Sequence, residues 1–360
     1  MTVKVSKPAI NVREELADLR KPSGTAGEAM LRAETPQEQF NLIGAGRRNL
    51  LINGAMQVSQ RGTSFSGIYG TTFVVDRFKF SSSSNGTWTL SQDTDAPAGF
   101  SKSLKMLCTT ADSSVGSSDY SFFLYKLEGN EVQQLASGTS SAKSVTVSFW
   151  VKSNVTGTYS LNLRNEDNAR QCGSAYTVDS ADTWEYKTAT IPADTVAGYN
   201  DDNSLSLQIE WWLGSGSAFS NGTIPTNWEA SSNGDRGAAN TVNIATVSNG
   251  YLQITGVQLE VGKVATPFEY RSYGEELAAC QRYFQLDFRV SHYLDGNNST
   301  KYIGFNFPPM RAAPSATRTS NSVSGSEAGT TIVFNSNKDG YVVNGASYGV
   351  GGIYNLDAEL

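Results

Sequence analysis

Ser144-Val-Thr-Val-Ser-Phe-Trp-Val-Lys152 decides the fold class. Val145, Val147, Phe149 and Val151 occupy every second position, with Thr146, Ser148 and Lys152 among the residues between them. Period two marks a strand that buries one face, because successive side chains of an extended chain point to opposite sides. Leu205, Leu207, Ile209 and Trp211 repeat the pattern within Ser204–Leu213. Further strands are expected at Phe73–Phe80, Thr87–Leu90, Ser103–Cys108, Ser121–Leu127, Thr158–Arg164, Thr183–Ile191 and Tyr251–Val261, between turn dipeptides such as Asn53-Gly54 and Asn85-Gly86. About ten short strands with no amphipathic helix between them predict a mainly β chain built on a central jelly-roll β-sandwich, and disfavour a βαβ fold.

Composition agrees with that reading. Of 360 residues, 39% are hydrophobic and 11% aromatic, enough for a sizeable core, while only 17% are charged. Ser, Thr, Asn and Gly take the place of the missing charges, as solvent-facing strands and turns require. The length suggests two or three units. We expect an N-terminal helical docking arm at 1–48, the sandwich at 49–272, one linking helix at 273–286 and a small C-terminal β tip domain at 287–360. In the arm, Asn11 caps a short helix, a second covers Ala26–Ala33, and Thr35, Pro36 and Glu38 open a third. None is long enough to be stable alone. Val12, Leu16, Leu19, Met30, Leu31 and Phe40 are the apolar residues expected to dock this arm on a partner. The C-terminal unit is short of apolar mass, and packing against copies of itself would help it.

The net charge is −6, and no basic stripe appears, so nucleic acid is not an expected partner. No run of 18 apolar residues appears, so no membrane insertion is expected. Met1–Lys21 has no apolar core of the kind a secretory signal needs. Cys108, Cys172 and Cys280 are odd in number and widely spaced, which suits reduced thiols made in a reducing cytoplasm. A phage protein reconciles those thiols with an extracellular style of composition, since it folds in the host cytoplasm and leaves by lysis.

Catalytic signatures are scarce. One histidine, His292, makes no multi-histidine metal site, and no GxSxG, P-loop or HExxH occurs. A glycosidase needs two carboxylates across a cleft. The tight acidic pairs Glu166-Asp167 and Asp201-Asp202 sit in turn-like sequence and read as solvated loop tips. No repeat of a parallel β-helix is present. The expectation is therefore a protein without enzymatic activity.

Aromatic residues are the better candidates, because a sugar ring stacks its apolar face on a flat side chain. Trp211 and Trp212 are adjacent, so on a strand they point to opposite faces. One is expected in the core and the other exposed. Trp228, Trp184 and Tyr186 are further candidate glycan platforms, with packing against a loop or a neighbouring subunit as the competing reading. Trp88 and Trp150 are expected in the core.

Three stretches resemble phage tail-fibre and fibre-like virion proteins. The first is Asn49-Leu-Leu-Ile-Asn-Gly-Ala-Met-Gln-Val-Ser-Gln-Arg-Gly62, followed by Val75-Asp76-Arg77-Phe78. The second, Ile254-Thr-Gly-Val-Gln-Leu-Glu-Val-Gly262 with Ala265-Thr-Pro-Phe-Glu269, is similar to the closing strand of carbohydrate-binding jelly-roll modules and their phage relatives. The third joins Glu275-Glu-Leu-Ala-Ala-Cys-Gln-Arg-Tyr-Phe284, Pro309-Met-Arg-Ala-Ala-Pro314 and Asp357-Ala-Glu-Leu360. The resemblance implies a jelly-roll domain, a homotrimer and a place on the virion, with other tail or capsid proteins as partners; it does not fix the ligand, for which host-surface glycan is the candidate. A structural calcium also occurs in jelly-roll modules of this type, and Asp76 and Glu260 are its candidate ligands here. A carboxylate hydrogen-bonded at a strand end is the competing reading of both. No other cofactor is expected. The rival readings are a capsid fibre or decoration protein, a stand-alone carbohydrate-binding protein, and a polysaccharide depolymerase.

Overall fold

A computed structural model describes Met30, Arg32, Gln39 and residues 47–83, 85–292, 301–320, 331–334, 336–344 and 350–360. Alternating sequence becomes antiparallel strand over most of these. In chain order they are β1 (Ser64–Ile68), β2 (Thr71–Phe73), β3 (Phe78–Ser83), β4 (Thr87–Asp93), β5 (Ser103–Thr110), β6 (Tyr120–Glu128), β7 (Val145–Ser153), β8 (Gly157–Asn165), β9 (Arg170–Val178), β10 (Glu185–Ile191), β11 (Leu205–Ser215), β12 (Glu229–Ala230) and β13 (Tyr251–Val261). A six-stranded sheet has the order β1-β4-β5-β13-β7-β10, and a seven-stranded sheet the order β12-β9-β8-β11-β6-β3-β2. The chain crosses between the sheets again and again, so β13 closes the six-stranded sheet between β5 and β7. That is a jelly-roll β-sandwich, and the protein is mainly β.

The inner faces meet in one apolar cluster. Val145, Val147, Phe149 and Val151 of β7 face Leu207, Ile209 and Trp211 of β11 within it. Each such side chain contributes roughly 1.5–3 kcal/mol when buried. Trp211 stacks on Phe123 with centroids 4.8 Å apart and planes 5° from parallel. Trp88 is fully buried, as expected.

Two strand expectations need correction. Phe73–Phe80 is not one strand: Arg77 has φ +74° between β2 and β3, and its side chain is buried. β9 was not expected at all. Its outward positions are Gln171 and Gly173, which are covered, and Ala175 and Thr177, which are exposed, while its inward positions set Cys172 and Ser174 beside Tyr176 and Val178. Only Tyr176 and Val178 among the inward positions are large and apolar, so no run of period-two hydrophobic residues marks the strand.

The helix α1 (Gly129–Val132) follows β6, and α2 (Asn233–Arg236) lies in the long segment between β11 and β13. The linking helix is α3 (Tyr273–Gln281), shorter than expected because Phe284 and Gln285 already belong to the next strand. Ser272 caps α3: its hydroxyl accepts from the Glu275 N–H, and Glu275 accepts from the Ser272 N–H at 2.9 Å. After it come β14 (Phe284–His292), β15 (Lys301–Asn306), β16 (Ser315–Ser320), β17 (Thr331–Phe334), β18 (Asp339–Asn344) and β19 (Val350–Asp357). These form two three-stranded sheets, β14-β19-β16 and β15-β18-β17. The chain divides into Met1–Arg48 and Asn49–Leu360, and the sandwich, α3 and the C-terminal strands all fall in the second unit. In the first, Met30, Arg32 and Gln39 are helical. Val12, Leu16, Leu19, Leu31 and Phe40 lie outside the described residues.

Candidate functional site

The sandwich has two outer faces, and they differ. On the seven-stranded sheet, Tyr120, Phe122 and Leu124 of β6 and Glu210 and Trp212 of β11 point away from the core. The segment after β11 roofs them. Trp212 is fully buried, stacked on Phe122 at 4.7 Å and covered by Phe219 at 5.5 Å. The Arg236 guanidinium lies 5.0 Å over the Trp212 ring and pairs with the buried Glu210 carboxylate at 2.6 and 3.1 Å. Burial alone would push the Glu210 carboxyl up, but Arg236, Arg164 and the Trp212 N–H outweigh it and hold it below 4.5. Asn240 and Asn243 continue the roof: Asn240 donates to the Trp212 carbonyl at 3.2 Å, and Asn243 sits where a side chain on Gly214 would go.

The expectation of one exposed tryptophan at 211–212 is therefore wrong. The two rings do point to opposite faces, but Trp211 fills the core and Trp212 fills a second apolar cluster under the roof. Neither is a platform. Trp228 also packs against the core, its N–H given to the Pro192 carbonyl at 2.8 Å.

On the six-stranded sheet the outer face carries an open aromatic row. Trp150 faces outward from β7, half-buried, which corrects its expected place in the core. Tyr186 of β10 is its cross-strand neighbour, 44% exposed, with ring centroids 5.4 Å apart. The row continues past Gly256, where β13 bulges and φ is +61°. A Cβ there would lie 2.7 Å from the Phe100 ring and 3.2 Å from Trp150, so only glycine lets the two rings close over the strand. Phe100 then packs on Phe268 at 5.1 Å and on Tyr270 at 5.6 Å, and Tyr270 is 59% exposed.

Polar groups border this row. Trp184 donates its indole N–H to Asp95 at 3.1 Å, and Lys152 donates to the same carboxylate at 2.8 Å. The hydrogen bond from Lys152 and then that from Trp184, set against slight desolvation, hold the Asp95 carboxyl below its ordinary value. Thr188 stands opposite Ser148, and Thr190 opposite Thr146, carrying hydroxyls along the same face. Sequence reasoning found Trp184 and Tyr186. It missed Phe100, Phe268 and Tyr270, which lie in loops where no periodicity marks a face, although Phe268 stands inside the quoted Ala265–Glu269 motif.

The other candidates lie elsewhere. Asp76 accepts from the Gln60 N–H at 3.0 Å, and Glu260 accepts from the Thr266 N–H at 2.8 Å and its hydroxyl at 2.6 Å. The two carboxylates share no partner, and no three metal-ligating His, Cys, Asp or Glu side chains cluster among the described residues. Glu166 pairs with Arg164 at 3.1 Å, and Asp167 accepts from Asn200 at 2.8 and 3.0 Å. The cysteines are buried and unbridged, and burial pushes the Cys108 thiol up to about 11 and Cys172 to about 12.

No family model matches the chain, and no curated protein matches it. Among solved structures it is similar to the tailspike protein 4 enzymatically active domain of bacteriophage CBA120, at 13% identity and TM-score 0.31, over 59% of this chain and 21% of that one. It is similar to a CBM4 module at 14% identity and TM-score 0.28, over 58% of this chain and 97% of that one. A third is TmCBM61, described in complex with β-1,4-galactotriose, at 10% identity and TM-score 0.30, over 60% and 99%. The chain spans about a fifth of the tailspike domain's length. With TM-scores this low, the fold assignment rests on the chain's own strand order.

Proposed function

We propose that this chain is a structural, non-enzymatic, fibre-like virion protein of a bacteriophage, whose sandwich recognises host-surface glycan. The observation that carries the glycan part is the aromatic row Tyr186, Trp150, Phe100, Phe268 and Tyr270, left open on the six-stranded sheet while the other outer face is roofed. Aromatic faces give large contact area at little entropic cost, and neighbouring polar groups fix orientation. The ordered resemblance of the three sequence stretches supports the virion part. In this reading residues 1–48 dock the particle, three copies assemble, and many weak sites act together through avidity.

The test is a glycan array probed with the wild-type chain and with Trp150→Ala and Tyr186→Ala, alongside the mass of the purified protein by light scattering. Binding that both substitutions abolish, in a particle near three times 38.7 kDa, supports the whole reading. Binding by a monomer favours a stand-alone carbohydrate-binding protein. Release of reducing ends from a bound polysaccharide would replace the reading by a depolymerase.

A further inference from the structure

Two buried polar atoms beside the aromatic row have no partner. Leu252 and Ile254 of β13 point into the core, so Gln253 and Thr255 point to the outer face. Both residues are fully buried there. Gln253 Oε1 and Thr255 Oγ1 have no hydrogen-bond partner among the described residues. A buried polar atom left unpaired costs on the order of 1–3 kcal/mol, so such atoms point to a missing partner.

What covers them is the chain itself. Asp93 ends β4 and Ser103 begins β5, yet Asp95 between them bonds to Lys152 of β7. In the sheet, β5 and β13 separate β4 from β7. The segment Thr94–Lys102 therefore crosses the outer face above Gln253, which is paired with Lys105 on one side and Lys152 on the other. It is pinned at Asp95 and at Phe100, and its Asp95 carbonyl accepts from the Ser103 hydroxyl at 2.7 Å.

The pin at Asp95 is a carboxylate site. An ammonium and an indole N–H converge on one carboxylate, which is 45% exposed at its side chain and sits next to rings that suit a sugar face. A uronic acid unit offers the same carboxylate and, in its hydroxyls, the donors that Gln253 and Thr255 lack.

We propose that Thr94–Ala98, the part of this segment ahead of the Phe100 anchor, is a displaceable strap and that the face beneath it takes acidic polysaccharide, a ligand carboxylate replacing Asp95 on Lys152 and Trp184 while Phe100 stays in the row. This rests on the glycan reading and narrows it to one ligand class. In the strapped state the chain's own carboxylate competes with the ligand, so removing it raises affinity for acidic chains alone.

Isothermal titration of the full chain with polygalacturonate and with neutral β-1,4-galactan tests this. Asp95→Ala is expected to bind polygalacturonate at least about fivefold more tightly than wild type, and Lys152→Met at least about tenfold more weakly, a difference of ~1.4 kcal/mol per tenfold. Added salt should weaken the acidic ligand's binding. Should Lys152→Met fail to fold, Trp184→Phe removes the indole donor while keeping an aromatic ring and should weaken polygalacturonate in the same direction. If polygalacturonate and galactan bind alike, or Asp95→Ala leaves polygalacturonate affinity unchanged, the strap proposal is overturned and the open aromatic row stands. If neither wild type nor Asp95→Ala binds any glycan, including on the array, both fall.

Discussion

Trp150 and Trp212 both point outward from their sheets, and what lies above each decides its role. Trp212 sits under Phe219 and Arg236, so truncating it opens a cavity in a closed cluster. Trp212→Ala should cost about 3–5 kcal/mol of stability, read from the urea midpoint. Trp150→Ala removes a half-covered ring and should shift that midpoint far less while lowering glycan affinity about tenfold or more, ~1.4 kcal/mol. Equal stability losses in the two variants would show that the six-stranded face is as closed as the other. Glu210 adds a pH signature. Its carboxyl titrates below 4.5 in the folded chain, so the Arg236 pair contributes stability above the ordinary carboxylate value and loses it as pH falls through the folded one. Glu210→Gln leaves a buried guanidinium without its anion and should cost about 3–5 kcal/mol at neutral pH. In denaturant titrations that gap from wild type should narrow as the pH falls through the depressed folded-state value of the wild-type carboxyl, where it too becomes protonated.

At the scale of elements, a strand was legible where one of its faces met water or a polar roof and the other met the core. β7 and β11 show this: Thr146, Ser148 and Lys152 alternate with valines, and Gln208 and Glu210 alternate with Leu207, Ile209 and Trp211. β9 was illegible because its inward positions mix Cys172 and Ser174 with Tyr176 and Val178, too few large apolar side chains to mark a period of two. The roof and the strap were illegible for a different reason. They are loops, and their place over a sheet is set by contacts far along the chain, such as Asp95 to Lys152 and Arg236 to Glu210. Those two loops decide which face is open, so the sequence could nominate Trp212 and Trp228 yet not see that they were covered. The bulge at Gly256 is the element on which the aromatic row depends. Gly256→Ala places a methyl 2.7 Å from Phe100 in a left-handed backbone, a strain of about 1–2 kcal/mol. The variant should fold with a slightly lower melting temperature and bind glycan more weakly, since Phe100 must move away from position 256. Unchanged affinity would mean that the two ends of the row bind independently.

At the scale of the molecule, the C-terminal residues reach back into the sandwich. Arg77, fully enclosed between β2 and β3, pairs with Glu359 at 2.6 Å and donates to the Lys126 carbonyl of β6 at 2.6 Å. Its guanidinium also covers the Tyr283 ring at 3.4 Å. Arg61 pairs with Asp357 at 3.2 Å and Glu359 at 3.4 Å, and Arg282, at the end of α3, pairs with the buried Glu128 at the end of β6. Arg311 donates to the Ala358 carbonyl at 2.8 Å and to the Asn203 carbonyl at 2.6 Å. Buried ion pairs of this kind are costly to break one partner at a time, because the other charge stays behind in the interior. All six tryptophans lie between residues 88 and 228, so tryptophan fluorescence reports on the sandwich alone. Glu359→Ala, far along the chain from the tryptophans, should therefore lower the stability seen by tryptophan fluorescence, by about 3 kcal/mol or more. That shift follows only if the C-terminal strands and the sandwich unfold together. An unchanged fluorescence midpoint, with far-ultraviolet dichroism showing an earlier partial transition, would instead make the C-terminal unit an independent tip.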